Sequence, residues 1–182
     1  MLLRVVLSIP DVGQIDAFVE PWRRVFSHSP LLSTVVLFGH LGGLLAAGGL
    51  TVASDRATLR LDPTDDVDRR RHLADLAQLR APIWSMLAVA LVSGALLFLA
   101  DVEAFAASRI FWTKMALVAL LVANGVFTAR LDTALQRDAR SGSGFARSPG
   151  DLRRWRRRRV GAIASAVLWF GLVLVGTALA SH

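Results

Sequence analysis

Four stretches of roughly twenty residues, each free of acidic side chains and almost free of basic ones, constrain this chain more than any motif does. Only a helix satisfies its own backbone polar groups in hydrocarbon, and about 20 apolar residues of helix cross it. The stretches run over about 31–53, 81–100, 110–130 and 160–180. With 54% hydrophobic residues in 182 and a mean hydropathy of +0.50, the chain is too apolar for an ordinary water-soluble domain. The reading is a single-domain, all-α integral membrane four-helix bundle.

Cations are banked between these stretches. Of 21 Lys and Arg, six lie between Asp55 and Arg80 and ten between Arg130 and Arg159, so the first and third connections hold 16. Positive charge beside helix ends stays on the cytoplasmic side. That places the first and third connections inside, and both termini and the short second loop outside, in a multi-pass membrane protein. A pI near 11.5 invites a nucleic-acid reading, but the arginines flank spans and do not interleave with aromatics on a soluble face, so nucleic acid is not expected as a partner. Membrane lipids are, together with a membrane-protein partner or a second copy.

Cysteine is absent, which removes disulfides, thiolate metal sites and covalent haem attachment. The opening nine residues are too short for the apolar region of a signal peptide, so the first span is expected to direct its own insertion. Ahead of it, Ile15, Phe18, Val19, Trp22, Val25 and Phe26 recur at three- and four-residue steps. This pattern predicts an interfacial amphipathic helix on the outer surface, capped by Asp11 with Gln14, kinked at Pro21, and with Trp22 in the headgroup belt.

The first cytoplasmic connection pairs six acids with its six arginines and opens a helix at Asp62-Pro63-Thr64-Asp65-Asp66, where Leu73, Leu76, Ala77 and Leu79 form an apolar stripe. In the second, Ser141-Gly142-Ser143-Gly144 and Ser148-Pro149-Gly150 are flexible punctuation. The run Arg153, Arg154, Arg156, Arg157, Arg158 and Arg159 then serves as an orientation signal or as a site for anionic lipid headgroups. Gly39, Gly43 and Ala47, Ala90 with Gly94, and Ala162 with Ala166 carry the small-xxx-small spacing that lets helices approach closely.

His40 falls about 14 Å below the outer end of the first span. An ionisable group at that depth faces the interior or a ligand. It is either a neutral histidine bonded across the bundle, to Asn124 or Ser93, or a haem ligand beside the space that Gly43 and Ala47 leave. No second histidine lies mid-span to complete a bis-histidine site. His28 and His182 meet at the outer rim as a weaker haem or copper candidate, and His72 is cytoplasmic. Lys114, the only lysine, either pairs with Asp101 or Glu103 or joins Trp112 and His28 around a quinone or other anionic ligand. No nucleophile elbow, zinc-protease helix, phosphate loop or intraspan carboxylate pair is present, so no catalytic residue is assigned.

Gly39-His40-Leu41-Gly42-Gly43, Asp55-Arg56, Phe111-Trp112-Thr113-Lys114-Met115 and Asn124 together resemble a family of small bacterial four-helix membrane proteins. That family is loosely akin to the copper-resistance D and cytochrome b561-like membrane folds. The resemblance runs from about Trp22 to Asp132, and it implies a bundle in the cytoplasmic membrane whose first-helix histidine matters most. The chain departs from the cytochrome b561 arrangement of histidine pairs on neighbouring helices. The expected function is a small accessory or structural subunit of a larger redox or transport assembly, with no activity of its own. The alternative is a membrane electron-transfer protein binding b-type haem or quinone. A solute or metal-ion transporter is a third class, disfavoured because no acid lies within a span.

Overall fold

The computed structural model describes residues 12–62, 65–140 and 149–180. These form six helices and, among the described residues, no strand: α1 (Val12–His28), α2 (Pro30–Arg60), α3 (Asp66–Ala100), α4 (Val102–Ala107), α5 (Arg109–Arg140) and α6 (Pro149–Ala180). Four of them, α2, α3, α5 and α6, are long and apolar enough to cross a membrane.

Local chemistry fixes the helix starts. Ser29 caps α2, its hydroxyl accepting from the Leu32 N–H at 3.3 Å, and Pro30 fills the first turn where a missing donor costs nothing. Asp65 caps α3 by accepting from the Val67 and Asp68 amides at 2.9 and 3.1 Å, and Asp66 and Asp68 add negative charge to the positive end of the helix dipole. Asp101 ends α3 and caps α4, and Ser108 accepts from the Phe111 amide to start α5. Phe98 and Phe111 stack across this corner with ring centres 5.1 Å apart.

The helices outrun the spans predicted from hydropathy. At about 1.5 Å per residue, the 35 residues of α3 reach roughly 50 Å, against roughly 30 Å of hydrocarbon. The first arginine-rich connection is therefore mostly helix: α2 continues to Arg60 and α3 begins at Asp66. In the second connection, α5 runs to Arg140 and α6 begins at Pro149, while Ser141–Gly144 lies outside the described residues. What holds the extensions together is a second apolar core, Leu73, Leu76, Leu135 and Trp155, backed by Leu61. The main core lies within the spans and consists of Ala47, Leu87, Leu121, Trp169 and Leu172.

The bundle is two hairpins. α2 packs on α3 and α5 on α6, the hairpins join along α2 and α6, and the α3–α5 seam is thin. The close α2–α3 approach runs through the predicted small residues. A Cβ on Gly43 would stand 2.8 Å from the Met86 carbonyl oxygen and 2.9 Å from the Ala90 nitrogen, both backbone atoms. Gly43→Ala is expected to force the helices apart and cost about 1–3 kcal/mol. Gly42→Ala, with nothing within 4 Å of the new methyl, is the matched control and should leave the unfolding midpoint in detergent at or above that of the parent protein.

α1 packs against α3 and α2 at the end of the bundle away from the arginine-rich connections. Val19 is buried, and the Trp22 indole N–H donates to the Leu96 carbonyl at 3.0 Å, so Trp22 is committed to α3 and its ring sits against Phe26. Glu20 and Arg24 pair on the exposed side at 2.7 Å, and that contact holds the Glu20 carboxyl below its usual range. The predicted cap at Asp11 lies outside the described residues, as do the side chains of Ile15 and Phe18.

Candidate functional site

The most unusual chemistry in the molecule lies at the arginine-rich end, where three buried charges meet. Arg158 on α6 donates through Nε to Asp132 on α5 at 2.7 Å and through Nη1 to Asp55 on α2 at 3.1 Å. All three side chains are less than a tenth exposed. Ser165 of α6 sets its hydroxyl beside the Asp55 carboxyl. Asp55 Oδ2 is buried without a hydrogen-bond partner.

Polar contacts spread from this cluster to the fourth helix. Thr58 of α2 donates its hydroxyl proton to the Ser54 carbonyl at 3.0 Å, so at 2.8 Å it can only accept from His72 Nε2 on α3. His72 is therefore the Nε2-protonated tautomer, and its ring meets Trp155 edge-on. Arg69 lies over the Trp155 ring, 5.3 Å from its centre. Above the cluster a cavity of about 100 Å³ reaches into the spans, lined on its polar side by Thr51, Ser54, Asn124 and Thr128 and closed by Leu87, Leu121 and Trp169. It has room for several water molecules, and its polar lining can hold them.

This geometry divides the arginine run that the sequence presents as one patch. Arg158 is buried on two carboxylates and is not available to lipid, a correction with a plain cause: it lies on the inward face of α6 with Trp155 and Ser165. Arg159 donates to the Leu59 carbonyl, and Arg154 pairs with Asp138. Arg153, Arg156 and Arg157 are exposed.

His40 is a pin between helices. Its Nδ1 lies 2.8 Å from the Ala90 carbonyl, which can only accept, so Nδ1 carries the proton. The expected partners differ: Ser93 bonds the Val89 and Ala90 carbonyls, and Asn124 donates to the Gly161 carbonyl at 3.0 Å, joining α5 to α6. The space expected beside His40 is filled. The α3 backbone closes over Gly43, and a Cβ on Gly94 would stand 2.9 Å from the His40 ring. His40 Nδ1 is taken up by the Ala90 carbonyl, which leaves Nε2 for any ligand, and among the described residues no group of three metal-ligating side chains exists.

Among the described residues, no hydrogen bond or ion pair joins the candidates His28, Trp112 and Lys114 to one another. His28 Nδ1 bonds the Arg24 carbonyl at 2.8 Å, and the Trp112 indole donates to the Ala106 carbonyl at 3.0 Å. Lys114 is half-buried. No ion pair joins it to Asp101 or Glu103 among the described residues, and no hydrogen bond joins it to Trp112 or His28. His182 lies outside the described residues.

Comparison with family models, with curated proteins and with solved structures gives no match to this chain. Its chemistry is therefore read from the side chains alone. Asp55 and Asp132 were the residues that hydropathy left unassigned. A signal for them exists, since Asn124, Thr128 and Asp132 recur every four residues on α5, as Ala47, Thr51 and Asp55 do on α2.

Proposed function

We propose that the protein is a small integral membrane subunit, without turnover of its own, that works inside a larger redox or transport assembly. One observation supports this reading most: the interior polar groups are bonded chiefly to one another. His40 is bonded to Ala90, Asn124 to Gly161, Thr58 to His72, and Arg158 to both carboxylates. Groups used in this way hold helices in register, and the buried Thr58 hydroxyl, which gives its proton to the Ser54 carbonyl and accepts from His72, is part of that bonding.

The outward faces agree with a scaffold. Leu31, Val35, Phe38, Leu41 and Leu45 expose one apolar side of α2, and Ile163, Val167, Phe170 and Leu174 do so on α6. Acyl chains, a second copy or a membrane-protein partner can cover such faces. The arginine banks support a bacterial cytoplasmic membrane with both termini outside. The test is extraction into a mild detergent or native nanodisc followed by light scattering. The expected particle holds more protein than one 19.7 kDa chain. A lone chain, or turnover by it, overturns the reading.

A further inference from the structure

The thin seam between α3 and α5 opens at its arginine-rich end into a cleft of about 400 Å³, lined by Arg80, Trp84, Val126, Arg130, Thr133 and Arg137. We propose that this cleft binds the phosphate of an anionic phospholipid, with the acyl chains lying outward along the seam.

Charge is the first reason. Arg130 and Arg137 lie two turns apart on one face of α5, with Thr133 between them, and Arg80 faces them from α3. None of the three has a carboxylate within ion-pair distance among the described residues. The nearest acids on α5 are engaged elsewhere, Asp132 with Arg158 and Asp138 with Arg154. Arg80 holds only long bonds, 3.3 Å to the Thr133 hydroxyl and 3.4 Å to the Ala129 carbonyl, which aim its guanidinium across the seam and leave donors over.

Depth is the second. Arg80 immediately precedes the apolar stretch of α3, and Arg130 ends that of α5, so both stand at the hydrocarbon boundary. Arg137 is about 10 Å further out, at headgroup level. Trp84 lies one turn inside, the level where indole rings settle. A free phosphate ion satisfies the same donors, whereas only a lipid also uses Val126, Trp84 and the seam above them.

The test uses the full chain in nanodiscs of equal phosphatidylglycerol and phosphatidylethanolamine, with retained lipid counted by native mass spectrometry. The parent protein is expected to retain phosphatidylglycerol preferentially, and equal retention overturns the proposal without any variant. Arg130→Gln with Arg137→Gln should lower that preference about fivefold for each arginine removed. Arg70→Gln with Arg71→Gln, exposed cations of the other arginine bank, should not. An equal fall in both variants would reduce the effect to general surface charge and overturn the proposal. Displacement of the lipid by inorganic phosphate at tens of millimolar would assign the cleft to a free anion instead and overturn the lipid.

Discussion

Arg158→Met is expected to destabilise the bundle by about 3–5 kcal/mol, because it leaves the Asp55 and Asp132 carboxylates buried with their cation removed. The size follows from what the side chain does. Its two hydrogen bonds tie α6 to α5 and to α2, across 26 and 103 residues of sequence, so one substitution loosens both the α5–α6 hairpin and the seam between hairpins. No surface arginine of the same run should behave this way. Arg156→Met and Arg157→Met, both exposed, should stay within about 0.5 kcal/mol of the parent protein. The unfolding midpoint in detergent, followed by helical circular dichroism, separates these outcomes.

Trp155→Ala should be comparably severe, at about 3–5 kcal/mol. Trp155 is 2% exposed and fills the second core between Leu73, Leu76 and Leu135, with His72 at its edge and Arg69 over its face. That core lies beyond the apolar stretches, so no lipid can replace the lost contacts. Trp155→Phe should retain most of the stability. The indole N–H is buried without a hydrogen-bond partner, and removing it relieves a cost of about 1–3 kcal/mol that offsets part of the lost volume. Equal losses for Ala and Phe would show that the indole is specifically required. Hydrogen exchange should place the loss in the arginine-rich ends of α3, α5 and α6, leaving the amides around Leu121 and Trp169 protected.

These two residues also mark where the sequence is hard to read. The four spans are legible because about 20 uncharged residues have few other solutions, and the α2–α3 contact is legible because Gly39, Gly43 and Ala47 share one face. Helix beyond the membrane is legible at the start of α3, where the acids up to Asp66 and the stripe from Leu73 announce it, but not on α2 or α5, since hydropathy falls at Asp55 and Arg130 while the helical backbone continues to Arg60 and Arg140. The weak stripe Leu73, Leu76, Leu135 and Trp155 carries that information, and it becomes visible as a core only when three helices supply it together. Arg158 is indistinguishable in sequence from its five arginine neighbours; its role depends on the azimuth of α6. His40 shows the converse. Its depth points to a polar partner across the bundle, but the partner in the structure is a backbone carbonyl of α3, which no side-chain pattern announces.

The claim on which the account rests is that the charges of Asp55, Asp132 and Arg158 serve one another, so that their joint removal is tolerated where removal of one is not. The direct measurement is the unfolding midpoint of the triple variant Asp55→Leu, Asp132→Leu, Arg158→Met beside that of Arg158→Met alone. Replacing a whole buried ion cluster with apolar residues of similar volume is often neutral or stabilising, so the triple variant is predicted to recover at least half of the single variant's loss. A triple variant as unstable as Arg158→Met would contradict the account.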